Sequence, residues 1–490
     1  MTHLSRRNLL RGAAAGALIA GWDPVSRRWA TAADRRRRLD RIPDLDGVLL
    51  TDTASRRLAA DDYGHFVHHE PVAVLRPASV EDIVKLVCFA RERAIGISMR
   101  GQAHSGYGQS QAPSGIVIDS STLARIHRVG SDEAVVDSGV QWRTLIAAGA
   151  EQGVTPPVLT DYQGLSVGGT LSLGGLDSGP MRHGAIIDNV RELEVVTGEG
   201  DLLTCSPTRR RPLFQSVLGG LGQCGIIVRA TLRMVPAPTM ALLVRLRYED
   251  VRANHADLAM LVRSGRLNAF EQLITFQDGR WVIDFQGAAY FDPPNAPDTA
   301  RLLDGLHDVA AHRVVGPVPY LAWTQRFDPT VAATRDDRRV PFNLLAPEET
   351  AAAFLADEIL SRSPAEIGDR VLQAAGTSSN MHMPMLRMPA TDLFVATLLF
   401  RPHKTDAEAA AFLADNRTLY DRAAKRGAKR YPWDAVPSFT REDWARHFGD
   451  SWPLLVRAKR SYDPAGILGP GPGICSHRRS SAAMPPGAAW

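Results

Sequence analysis

Cysteine is scarce in this chain: four residues, Cys88, Cys205, Cys224 and Cys475, in 490, and no two stand at CxxC spacing. That excludes a disulfide scaffold and a zinc ribbon. The four could pair in an oxidising compartment, but the apolar or motif-bearing segments around them favour buried free thiols. No metal constellation is present; His68 and His69 are adjacent, so in an extended strand they face opposite sides and cannot readily share one ion. Long hydrophobic runs are also missing, the apolar stretch near Ala13 to Ala20 being well short of the roughly 20 residues of a membrane span. Excess charge is lacking too. The formal balance is +4, but five Arg and one Asp lie between Met1 and Ala32, which leaves 52 basic and 52 acidic residues in the rest. No basic field for nucleic acid survives, and Arg35 to Arg38 reads as a short solvated run. The chain does not show the GxGxxG of a Rossmann unit, and internal repeats and long low-complexity tracts are absent.

What is there fits a folded globular chain of two domains. A length of 490 residues exceeds one ordinary core, and 44% hydrophobic with 22% charged residues is a globular composition. Ser5-Arg6-Arg7-Asn8-Leu9-Leu10, the apolar stretch and Ala30-Thr31-Ala32 resemble a twin-arginine export signal over 1–32, set against a basic helix that stays attached. Val72 to Pro77 predicts a strand, and Ser79 caps a helix with Asp82 three residues on and Ile83, Leu86, Val87 and Ala90 as its apolar stripe. Ile95 to Met99 returns as a strand. Further strands are predicted at 116–118 and 135–137, a helix from Trp142 to Ala150, and a hairpin from Glu192 to Thr204 around Gly198-Glu199-Gly200. Pro236-Ala237-Pro238 marks a boundary. Beyond it, 242–248, 270–276 and 281–285 read as strands, and 255–263 and 299–311 as helices. The alternation argues an α+β or α/β nucleotide-binding layer. The last residues, rich in Ser, Ala and Pro, read as a flexible tail over 477–490.

The strand ending at Met99 delivers Arg100-Gly101-Gln102-Ala103-His104-Ser105-Gly106-Tyr107-Gly108-Gln109, a glycine-rich loop around one histidine. Missing Cβ atoms let backbone N–H groups crowd a phosphate-bearing ligand, and Arg100 and Gln109 add donors. Three further runs accompany it: Asp161 to Ser172, Leu193 to Ser206, and Leu218-Gly219-Gly220-Leu221-Gly222-Gln223-Cys224-Gly225-Ile226-Ile227. With the closing stretch from Trp444 to Ile474, they resemble the flavoproteins of the vanillyl-alcohol-oxidase and p-cresol-methylhydroxylase superfamily, and within it the cytokinin dehydrogenases.

The resemblance implies an α+β fold: a two-subdomain FAD-binding domain at 40–238, an inserted α+β substrate-capping domain at 239–436, and a return to the FAD domain at 437–476. It implies FAD linked covalently through His104, since neutral imidazole is a competent nucleophile toward an activated methyl group. Tyr162 occupies the place of a second, cysteinyl tether found in some members, so one bond is expected. Gly101, Gln102, Ala103, Ser105, Gln109, Asp161, Ser166, Gly168, Gly169, Thr170, Ser172 and Ile227 are the implied flavin contacts. Asp161 is the implied proton acceptor, against a turn or cap aspartate, and Glu271 the implied holder of the substrate's polar end, against an exposed strand glutamate. The small-molecule substrate is a secondary allylic amine or, alternatively, an alcohol, lactone, sugar or natural product, and the electron acceptor is oxygen or a quinone. A flavin-binding protein without catalysis is the third reading, and Asp161 argues against it. The chain departs from the family pattern in three places: Gly101-Gln102-Ala103-His104-Ser105 replaces GRGHS, Leu173-Gly174-Gly175-Leu176 follows Ser172, and Pro470-Gly471-Pro472 replaces PGQ.

Overall fold

The computed structural model describes residues 19–23, 28–31, 42–176 and 178–475. Of the export segment expected at 1–32, only strands Ile19–Asp23 and Arg28–Thr31, paired antiparallel, fall among them. The rest of that segment and the tail at 477–490 lie outside the described residues.

Between Val48 and Arg233 the chain builds two sheets. The first has the order Val48–Leu50, Ala73–Arg76, Ile116–Asp119, Ile97–Arg100, with its last three strands parallel. Helix Val80–Glu92 covers it and buries Ile83, Leu86, Val87 and Ala90 completely, the stripe its spacing predicts. The second is an antiparallel five-stranded sheet, Leu202–Cys205, Val190–Val196, Ile226–Arg233, Glu133–Asp137 and Ile126–Val129. Its core takes in helices Trp142–Ala150, Val167–Leu173 and Arg211–Val217. From Met240 to Arg430 the chain forms a single eight-stranded antiparallel sheet in the order Val314–Pro319, Met240–Tyr248, Arg280–Phe291, Ala269–Gln277, Arg370–Thr377, Leu393–Pro402, Arg339–Pro347, Lys429–Arg430. Helices Val251–Ser264 and Asp406–Ala424 pack into its core.

After Trp452 the chain returns to the first half. Ile467 accepts from the Ile97 N–H at 2.7 Å and Gly469 donates to the Ile97 carbonyl at 2.9 Å. Buried Asp463 receives the N–H groups of Ile467 and Leu468 at 3.0 and 2.8 Å, and Lys459 donates to the Leu468 carbonyl at 2.8 Å, fixing the turn that brings this segment in.

Two expectations are corrected. The helix expected over 299–311 stops at Leu303, because Asp304 turns to extended backbone and Gly305 takes φ +72°. The strand expected at 281–285 runs on to Phe291, its small Gly287, Ala288 and Ala289 fitting between neighbours on both sides. The four cysteines are free, but only Cys205 and Cys224 are buried as expected, Cys88 and Cys475 being half-buried; among the described residues no group of His, Cys, Asp and Glu could hold a metal ion.

The Ser79 cap is a complete capping box, and Asp82 also gathers the N–H groups of Asp46, Gly47 and Ala78 at 2.7, 2.9 and 2.9 Å. Burial alone would raise its pKa, but these donors outweigh burial and hold it below the usual carboxylate value. Asp82→Ala orphans the donors and should cost about 2–4 kcal/mol in urea denaturation at neutral pH. The depressed pKa puts this stability in place above the unfolded aspartate value, so the wild-type advantage should fade as pH falls through the lower, folded one.

Candidate functional site

The loop after strand Ile97–Arg100 is held from below and behind. Asp62 accepts from the Gly108 N–H at 3.2 Å, Arg100 donates to the Asp61 carbonyl at 2.9 Å, and Ser120 Oγ donates to the Arg100 carbonyl at 3.1 Å. The Trp433 indole N–H donates to the His104 carbonyl and the Gln109 amide to the Pro432 carbonyl, so the segment after strand Lys429–Arg430 clamps the loop's other side. Ala103 sits at φ +58°, in the left-handed region that suits glycine and costs an L-residue roughly 1 kcal/mol. The GRGHS pattern has glycine at this position, where the same backbone would carry no such strain.

His104 stands among aromatic rings: Tyr63 at 4.0 Å between centroids, Tyr162 at 5.2 Å and Trp433, stacked, at 5.9 Å. Burial, and after it the charges of Arg335 and Arg339, push its pKa down to about 3. The imidazole is therefore neutral and nucleophilic at any working pH.

In front of it lies a cavity of about 440 Å³. Its wall includes all thirteen residues expected to contact the cofactor, from Gly101, Gln102, Ala103, His104, Ser105 and Gln109, through Asp161, Ser166, Gly168, Gly169, Thr170 and Ser172, to Ile227. Helix Val167–Leu173 presents the glycine pair; a Cβ on Gly168 would stand 2.6 Å from Ser138 Cβ, so only glycine lets the helix approach that strand end. Gly222, at φ +69°, faces open space on the same wall. The wall contributed by the eight-stranded sheet and its connections is mixed: Leu273, Phe327, Val331, Leu372, Leu398 and Phe400 stand beside Thr330, Thr334, Arg339, Asn343 and Arg370.

Asp161 is about a third exposed (35% of its side chain). Its Oδ1 is nevertheless shut away without a hydrogen-bond partner, 3.8 Å from Arg326 Nη2. Burial drives its pKa up to about 6; Arg326 opposes the shift and Glu271 adds to it. A carboxylate poised there can take a proton near neutral pH. Glu271 does not line the cavity. It is 1% exposed and forms a fork with Arg326, Nε to Oε1 at 2.9 Å and Nη2 to Oε2 at 2.5 Å. Asp161 also borders a second, polar cavity of about 280 Å³, on whose wall Arg326 stands with Gln163 and Ser178.

The sequence reading missed Tyr63, Arg326, Asn343, Tyr431 and Trp433. The Tyr431 hydroxyl receives the Gly175 N–H at 3.0 Å, and Asn343 brings an unpartnered Oδ1 to the cavity wall. The Tyr431-Pro432-Trp433 run was the one local signal available, two aromatics across a proline.

The donor set suits FAD. Gln109 Oε1 and Ser138 Oγ are buried polar atoms on the cavity wall without partners, which a flavin nucleotide's polar groups would satisfy. The glycines open the wall for its backbone contacts, and His104 offers a neutral nitrogen.

Comparison with known proteins agrees. Residues 71–206 match the FAD binding domain family, and residues 372–475 match the family described as cytokinin dehydrogenase 1, FAD and cytokinin binding. The chain is 33% identical to an uncharacterised oxidoreductase of the fasciation locus of Rhodococcoides fascians, over 87% of this chain and 99% of that one. It is 31% identical to cytokinin dehydrogenase 10 of Oryza sativa subsp. japonica, over 88% of this chain and 89% of the relative, and 30% identical to cytokinin dehydrogenase 1 of Arabidopsis thaliana, over 87% and 82%. The protein is an FAD-dependent oxidoreductase. It belongs to the cytokinin dehydrogenase family.

Proposed function

We propose that this chain oxidises a secondary allylic amine of cytokinin type, with FAD linked to His104 and Asp161 as the proton acceptor. The observation that carries this reading is the pairing, on one cavity wall, of a neutral imidazole with a carboxylate whose pKa lies near 6. FAD, when bound, supplies the acceptor for the hydride that leaves the carbon next to nitrogen. Asp161 takes the N–H proton, so substrate loses two electrons and two hydrogens and becomes an imine, which water cleaves. The apolar side chains of Leu273, Leu372, Leu398 and Phe400 on the cavity wall suit an isoprenoid chain.

On this reading the four- and five-stranded sheets form the two halves of the flavin domain at 40–238, completed by 437–476, and the eight-stranded sheet caps the substrate. Tyr162, where a second tether would need cysteine, limits the link to one bond. The twin-arginine segment at 1–32 exports the folded protein, and oxygen or a quinone reoxidises the flavin.

A denaturing gel viewed for flavin fluorescence tests the linkage. The wild-type band should fluoresce and the His104→Ala band should not; a dark wild-type band from flavin-replete cells rejects the covalent link. Isopentenyladenine should bleach the flavin anaerobically, and a flavin that ignores this amine but bleaches with an alcohol or sugar would replace the amine assignment.

A further inference from the structure

Arg326 is the most tightly held cation next to the site. Besides its fork with Glu271, Nη2 donates to Ser178 Oγ at 2.8 Å and Nη1 to the Trp323 carbonyl at 3.1 Å, while the guanidinium lies 3.9 Å over the Trp323 ring. Its side chain is 14% exposed and that of Glu271 2%. Glu271 has no free side: Oε1 takes both Arg326 Nε and the Gln286 amide, and Oε2 takes Arg326 Nη2. Glu271 borders neither cavity, whereas Asp161 borders both.

We propose that Arg326 is a positioning residue for Asp161 and that Glu271 acts through it as its anchor, with no contact of its own to substrate. The fork fixes the guanidinium, whose Nη2 then stands 3.8 Å from Asp161 Oδ1, an ion-pair contact without a hydrogen bond, and this leaves the other carboxylate oxygen for the substrate's N–H. Glu271 also shares the arginine's charge, so Asp161 receives part of it and stays basic enough to accept a proton. This assignment rests on the reading of Asp161 as proton acceptor.

The charged and titratable groups facing Asp161 come from three elements: Arg326 after helix Tyr320–Thr324, Glu271 on strand Ala269–Gln277, and the Tyr431 phenol beyond strand Lys429–Arg430. Tyr431 stays protonated, burial pushing its pKa up to about 12, so the balance between Arg326 and Glu271 sets the charge at Asp161.

The test compares the pH dependence of kcat/KM for anaerobic flavin reduction in four variants, with isotope-edited NMR titration of the aspartate carboxyls as a readout independent of turnover. In Arg326→Met the Asp161 inflection should rise by about one unit or more; in Glu271→Gln it should fall, because the whole cation then acts on Asp161. Arg326→Lys should leave the inflection near its wild-type place and lower kcat through looser geometry. Opposite shifts from the two charge removals are not produced by loss of packing. If Glu271→Gln raises KM and leaves the inflection in place, Glu271 touches substrate directly and the proposal is wrong. Should Arg326→Met not fold, the direction of the Glu271→Gln shift decides alone. Asp161→Asn separates the two readings: if it keeps wild-type turnover and inflection, the proton-acceptor reading itself fails; if it loses turnover while Arg326 and Glu271 variants leave the inflection still, only the positioning role is overturned.

Discussion

Asp161→Asn should slow anaerobic reduction of the bound flavin by about 10²–10⁴-fold, the range in which a positioned general base contributes, with flavin content unchanged. Asparagine keeps the shape of the side chain and its place between the two cavities but cannot take a proton near neutral pH. In the wild type the pKa near 6 makes the ionised, working form dominant at pH 7 and scarce at pH 5. Log kcat/KM should therefore climb by about one per pH unit below the inflection and level off above it, and the variant's residual rate should show no such step. The sign for stability runs the other way. A carboxyl whose folded pKa exceeds its unfolded value binds its proton more tightly in the native state, so ionising it costs stability as pH rises from the unfolded value through about 6. Asp161→Asn should then melt no lower than wild type at pH 7. A variant that is slow because it is unstable, or that keeps its rate, would remove Asp161 from the chemistry.

What could be read from the sequence was local. Ser79 and Asp82 lie three residues apart and announce their cap; Gly198-Glu199-Gly200 announces its hairpin; the glycine loops carry their spacing with them. The flavin side of the wall around His104 was legible because those loops supply it, whereas Tyr63, Asn343, Tyr431, Trp433 and the sheet residues opposite came from outside them. Arg326 was invisible for a physical reason: its partners are Glu271, 55 residues back, and Ser178, 148 residues back, and no short-range pattern records such a meeting. The same distance hid Glu271's surroundings. Strand alternation says that a side chain faces inward, and only the packed structure says that an arginine fills the space in front of it. Trp433 reaches His104 across 329 residues, so its clamp on the loop was equally out of reach. The overlong helix at 299–311 failed differently: apolar spacing continued past Asp304 and Gly305, and the left-handed glycine overruled it.

Gly139→Ala should be among the most damaging small substitutions in the flavin half, at about 4 kcal/mol or more, because the neighbour it strikes is backbone. A Cβ there would stand 1.9 Å from the Ser120 carbonyl oxygen and 2.6 Å from that of Leu123. Neither can swing aside, since the Leu123 carbonyl accepts from the Gly139 N–H itself at 2.8 Å. Residues 138–140 join four pieces of the fold: Ser138 donates to the Val228 carbonyl at 3.0 Å and accepts from the Gly168 N–H at 2.7 Å, and Val140 accepts from the Val167 N–H at 2.8 Å. Pushing this segment out moves the helix that carries Gly168 and Gly169, while pushing Ser120 away releases its hold on the Arg100 carbonyl at the root of the His104 loop. Both edges of the cavity would shift at once, so flavin content should collapse along with the melting temperature. Gly130→Ala is the matched control, its nearest neighbour being the Glu133 carbonyl at an ordinary 3.5 Å, and it should stay within about 0.5 kcal/mol of wild type. A Gly139→Ala protein that loads flavin normally and melts with the control would show that this junction yields, and that the cavity's shape is set elsewhere.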